Sequence, residues 1–98
     1  MKYVLRYVMA SNGDLDQVRA LFAQHRQHWE SFRKEGTLLA IGPMADPRDG
    51  ALAVFTSRPA AETFARSDPF VTSGVVGSWE VLEWQEAIWE SPGGRAPG

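Results

Sequence analysis

Cysteine is absent from this chain. Its absence excludes disulfides, a thiolate nucleophile and any cysteine-ligated zinc site, and it fits a reducing cytoplasm. Charge of one sign is scarce too. Ten Lys and Arg stand against twelve Asp and Glu, mixed along the chain, for a formal net charge of -2. With no basic stripe to follow a phosphate backbone, nucleic acid is not an expected partner. Long apolar runs are missing: none approaches the roughly 20 residues of a membrane span, so no membrane association is expected. The opening MKYVLRYVMA has too short an apolar run for a signal sequence and reads as a strand. The expected setting is soluble and cytoplasmic. The sequence contains no phosphate loop, dinucleotide fingerprint or G-x-S-x-G elbow, which argues against a nucleotide cofactor. Histidine occurs only twice, at His25 and His28. Carboxylates alone could complete a metal shell around them, so neither a metal nor any other cofactor is expected.

What is present is a single small domain's worth of apolar residues. Of 98 residues, 44% are hydrophobic, with four Trp, five Phe and two Tyr. A core of that size is real but small, and burial against a second subunit would help it. The stretch from Leu15 to Gly36 organises the chain. Leu15, Val18, Phe22, Trp29 and Phe32 step by threes and fours along one helical face, the spacing of a stripe buried against a sheet. His25 falls within that stripe. Burying a polar ring there costs roughly 1–3 kcal/mol unless it finds a partner. Either His25 is a core histidine with both nitrogens satisfied, or it has a partner on one side and a cavity on the other.

The remaining elements follow from local signals. Lys2 to Met9 is rich in β-branched and aromatic residues and reads as a first strand. Asp14 is placed to cap the helix and Gly36 to end it, with Arg33 and Lys34 in its last turn. Thr37 to Met44 reads as a second strand stopped by Pro43, and the turn-rich Ala45 to Gly50 leads to a third at Ala51 to Ser57. Ser57 and Pro59 open a second helix through Ala65, Asp68-Pro69 starts a single turn ending at Gly74, and Val75 to Gln85 is the fourth strand. The order β-α-β-β-α-β predicts an α+β, ferredoxin-like protomer: a four-stranded antiparallel sheet with two helices on one face. The expected domain covers residues 1–86. Residues 87–98, ending in SPGGRAPG, bury little and are expected to form a flexible tail.

Three segments together carry a resemblance. The helix bearing His25, then EGTLLAIGPM (Glu35 to Met44), then SDPFVTSGVV (Ser67 to Val76) resemble the YCII-related (YciI-like) proteins, over about residues 1–85. The shared features are a helix His about ten residues before Glu-Gly, a Gly-Pro-Met after the second strand and an Asp-Pro-Phe after the second helix. The resemblance implies a dimeric α+β barrel with His25 and Asp68 as a His–Asp active-site pair, and dehydrohalogenase- or isomerase-like chemistry is associated with relatives. One departure stands out. Many members carry Arg three residues before the His, where this chain has Phe22. Anion binding would then fall to Arg6, Arg19 or Arg26, or the substrate differs. The extension beyond about Gln85 has no counterpart in the family pattern.

Each candidate has a plainer role available. Asp68 before Pro69 is what a helix cap looks like; a carboxylate has two oxygens, so one can cap while the other orients His25. His28, at the flank of the stripe, is expected to face solvent. Trp29, Phe70, Trp79 and Trp84 are most simply core and interface, with some available to line a cleft. The sequence therefore predicts a cofactor-independent enzyme, with His25 as acid or base and Asp68 orienting it, acting on a small organic molecule. The alternative is a non-catalytic dimeric module that binds a small ligand. The strands sharpen the partner expectation: Leu38 to Ile41 and Ala51 to Phe55 are apolar on both faces, so the uncovered face of the sheet predicts a homodimer.

Overall fold

The computed structural model describes residues 1–90. Strand β1 (Lys2–Met9) lies inside the sheet, and its residues alternate between the two faces, with Leu5 and Tyr7 buried while Arg6 and Val8 are exposed. Helix α1 (Leu15–Glu35) begins where the Asp14 carboxylate accepts the Asp16 N–H at 2.8 Å. It ends at Gly36, whose φ of 83° is the left-handed turn that glycine adopts without strain. Both caps stand where the sequence placed them. Strand β2 (Leu38–Pro43) is followed by a 3₁₀ turn at Pro47–Asp49, then by β3 (Ala51–Phe55). Gly50 joins them at φ 100°, and a Cβ there would collide with the Tyr7 carbonyl, so only glycine lets this turn press against β1. Helix α2 (Arg58–Ser67) is capped by Ser57, the one-turn α3 (Pro69–Thr72) by Asp68, and β4 (Val76–Trp84) closes the domain. Strand β1 has the expected bounds, and β2, β3 and β4 are each two residues shorter than the sequence suggests, because regular pairing gives way at their ends to single bonds such as Thr56 N–H to Thr37 C=O, 2.9 Å.

The sheet has the order β2-β3-β1-β4, with every neighbouring pair antiparallel. This is the expected α+β, ferredoxin-like arrangement. Register sets Leu5 between Ala53 and Val81, and Tyr7 between Ala51 and Trp79. These side chains face the helices. Phe55, Phe64, Leu5, Ala61, Ala65 and Val75 are almost wholly buried, and Trp29 and Phe32 pack against the core from α1. The opposite face carries Val4 beside Val54 and Leu82, and Arg6 beside Leu52 and Glu80.

One expectation for α1 needs correction here. Phe22 is 53% exposed rather than part of a buried stripe, because at its level the helix looks onto a cavity instead of onto packed side chains. His25 is the helix's one buried residue. At the other end of the chain, residues 85–90 have no regular structure, but Glu86 pairs with Lys2 at 2.6 Å and the Trp89 ring meets Trp84. Most of the tail expected to be flexible, residues 91–98, lies outside the described residues. Among the described residues no helix is long and apolar enough to cross a membrane.

Candidate active site

Three elements far apart in sequence meet at one carboxylate. Asp68 sits at the joint between α2 and α3, where its N–H bonds back to Ala65 and its side chain turns inward. The joint is dictated locally: Pro69 cannot continue α2, and a new helical turn needs an acceptor for its free N–H groups. Oδ1 accepts the Phe70 N–H at 3.1 Å. Oδ2 accepts the Tyr7 hydroxyl, from the middle of the sheet, at 2.6 Å. His25 Nδ1 then reaches both oxygens, at 2.9 and 3.1 Å. The carboxylate is fully buried, so three donors stand in for its lost hydration.

That bonding decides the state of the histidine. An ionised carboxylate can only accept, so Nδ1 carries a proton, and in the neutral ring Nε2 presents its lone pair. Nε2 has no bonding partner among the described residues, and among those residues no buried side-chain nitrogen or oxygen lacks one, so Nε2 reaches open space. The residue is 8% exposed, and its ring stacks on Phe70, with centroids 4.0 Å apart and planes 16° from parallel. The Tyr7 phenol is held far above the ordinary tyrosine range, by burial foremost and then by the negative charge and hydrogen bond of Asp68. Burial and Asp68 thus both hold it in the protonated, donating form.

The open space is a cavity of about 240 Å³ between α1 and the sheet. His25, Phe22 and Phe70 wall one side, and Leu5, Gly42 and Pro43 contribute from the strands. A histidine with one nitrogen tied to a buried carboxylate and the other open to an apolar cavity is equipped to take and return a proton.

The sequence brought His25 and Asp68 forward, and the structure puts them in direct contact. Tyr7 was missed. Its signal was the alternation Tyr3, Leu5, Tyr7 in β1, which buries a phenol whose hydroxyl must find a partner. His28 differs from expectation: it is half-buried, its Nε2 donating to the Phe64 carbonyl at 3.0 Å and its ring set between Phe32 and Phe64. The reason is that α1 packs along α2, whose last carbonyls have no helical donor. None of the three candidate arginines lines the cavity. Arg6 pairs with Glu80 on the opposite sheet face, Arg19 pairs with Asp16, and Arg26 lies over Trp29. Phe70 stacks on the site histidine, whereas Trp84 is exposed at the far face. Among the described residues no three His, Asp or Glu side chains gather as a metal site would require.

No curated protein matches the sequence. Among solved structures, the fold is similar to that of the 5-chloro-2-hydroxyhydroquinone dehydrochlorinase TftG of Burkholderia phenoliruptrix AC1100, in complex with 2,5-dihydroxybenzoquinone. The TM-score is 0.71 at 18% identity, covering 89% of this chain and 96% of that one. That identity speaks for the fold alone. The model of the YCII-related domain matches residues 1–85, which span the whole sheet, both main helices and the His25–Asp68 joint, and by that match the chain belongs to the YCII-related family.

Proposed function

We propose that this protein is an acid–base enzyme acting on a small organic molecule in the cavity beside His25. The observation that carries the reading is the bonding of His25: Nδ1 on the buried Asp68 carboxylate at 2.9 Å, with Nε2 open to the cavity. Nε2 takes a proton from a substrate C–H or O–H, and the imidazolium that forms is stabilised by Asp68 behind it. The electron pair left on the substrate either expels a leaving group, giving elimination, or shifts along the molecule and is reprotonated elsewhere by the same imidazolium, giving isomerisation. In elimination the leaving group departs with its electron pair and the imidazolium passes its proton to water; neither outcome changes the overall oxidation state, so the reading calls on no cofactor. The dehydrochlorinase activity named for a protein of the same fold supports it.

Turnover of a panel of halogenated and enolisable ring compounds, followed by proton NMR in deuterated water, tests the proposal. His25→Gln should lower kcat/KM by about 100-fold or more, the usual contribution of a positioned acid or base. Full turnover by that variant overturns the role given to His25, and ligand binding with neither turnover nor exchange across a broad panel overturns the reading in favour of a binding module.

We also propose that the working form is a homodimer joined through the uncovered sheet face. Val8, Leu52, Leu82 and Trp84 are exposed there, and a two-fold pairing would bury them. Light scattering on a sizing column should give twice the chain mass at micromolar concentration. A mass of one chain sinks the dimer and leaves the acid–base reading in place.

A further inference from the structure

The walls of the cavity restrict its ligand more narrowly than the reaction does, and the restriction rests on the acid–base reading above. No Lys, Arg, Asp or Glu lines the cavity. Its polar side-chain groups are the His25 ring and the Tyr7 hydroxyl, and the hydroxyl is already committed to Asp68. A ligand therefore meets one uncommitted polar side-chain atom, Nε2, in walls that are otherwise mostly hydrocarbon. Behind that atom sits a buried carboxylate whose three donors include no Lys or Arg. The pair carries charge −1 with a neutral imidazole and 0 with a protonated one, so it never offers a net positive charge. An anion entering would lose its hydration and gain no counter-charge. Phe22 completes the argument at the rim: it lines the cavity while 53% exposed, which puts an apolar ring where a cation would have to stand to draw an anion in.

Size narrows the class further. A dry apolar cavity of about 150 Å³ holds benzene, and this one, at about 240 Å³, has room for a single ring with small substituents. It falls short of the roughly 300–1,000 Å³ common for drug-sized ligands. We infer that the cavity selects an uncharged, single-ring organic compound that directs one acidic hydrogen at His25 Nε2, and that Phe22 sets the preference for neutral over anionic ligands.

Phenol and benzoate are of similar size and differ in charge at neutral pH, which makes them the probes. Each is titrated into the full chain and into Phe22→Arg, with calorimetry for affinity and the His25 ring resonances in NMR to report the site. The expected result is that phenol binds and moves the His25 signals, that benzoate binds at least about tenfold more weakly, and that Phe22→Arg reverses the order. Phe22 is more than half exposed, so the variant should fold, which circular dichroism checks. Benzoate binding the wild-type chain as tightly as phenol overturns the inference, as does failure of both to perturb His25. The two readings fail separately. Phenol binding without turnover of any neutral ring compound leaves the ligand class standing and removes the chemistry, whereas turnover confined to anionic substrates does the reverse.

Discussion

Helix α1 carries two histidines three residues apart, and the regions they enter differ in almost everything that decides chemistry. Around His25 the sheet and α3 supply a buried carboxylate on one side of the ring and an open apolar cavity on the other. Around His28 the ring lies between Phe32 and Phe64, with Nε2 donating to the last turn of α2. The first ring is fixed by a charge it can respond to, with a free nitrogen facing empty space. The second satisfies a backbone carbonyl and helps hold two helices together. Residue type and helical position are nearly the same for both, so the surroundings alone assign one to a site and the other to the scaffold.

Removing the charge at the first region should do the most damage. Asp68→Ala strands the Tyr7 hydroxyl and the His25 Nδ1–H, and by freeing the Phe70 N–H takes the cap from α3. Each buried unpaired group costs about 1–3 kcal/mol and a lost cap about 1. Urea denaturation should therefore register a loss of about 3 kcal/mol or more. A loss below about 1 kcal/mol would mean that the three bonds contribute nothing net, and the contrast between the two regions would lose its basis.

How much of this was legible in the sequence depended on how far apart the partners lie. Asp14 and Gly36 act on backbone within a few residues, so local chemistry was enough to place both ends of α1. Pro43 and Pro69 punctuated the chain for the same reason. His25 and Asp68 are separated by 43 residues, and no spacing rule connects them; the Asp-Pro-Phe and Gly-Pro-Met patterns of the family did. The Tyr7–Asp68 bond spans 61 residues and had neither a local rule nor a motif to announce it. Phe22 fitted the apolar period of α1, but periodicity finds the face of a helix without saying whether side chains or a cavity lie opposite. His28 was misjudged because its partner is a carbonyl, which every residue carries and no pattern marks.

Tyr7→Phe sharpens the comparison through pH. The native phenol stays protonated far above the ordinary value of 10.0, whereas in the unfolded chain it ionises near that value. A group whose folded pKa is raised contributes stability fully below the unfolded pKa and loses it as pH climbs beyond. Here the unfolded state releases a proton that the folded state keeps, so this contribution falls by about 1.4 kcal/mol per pH unit above 10. Below pH 10 the variant should be less stable by about 1.5 kcal/mol, the usual value of a hydrogen bond to a charged acceptor. The wild-type advantage should then disappear within about one pH unit above 10. Parallel stability curves across that range would show that Tyr7 does not keep its proton in the folded state.

The smallest effect belongs to His28, and it is the one that isolates the comparison. Phe64 stands in the last turn of α2, where carbonyls lack a helical donor, and His28 supplies one at 3.0 Å. The Ser67 hydroxyl is committed to the Thr63 carbonyl at 2.7 Å, but the His28 side is only half-buried, so water can replace the lost donor. Leu in its place would keep much of the packing against Phe32 and Phe64. His28→Leu should therefore cost about 0.5–1 kcal/mol in thermal or urea denaturation, the net value of one neutral hydrogen bond. The His25–Asp68 geometry one turn away does not depend on that bond, so kcat/KM should stay within about twofold of wild type, against the loss of about 100-fold or more expected for His25→Gln. A loss of activity of that size in His28→Leu, at unchanged stability, would place both histidines in the chemistry and erase the distinction between the two regions.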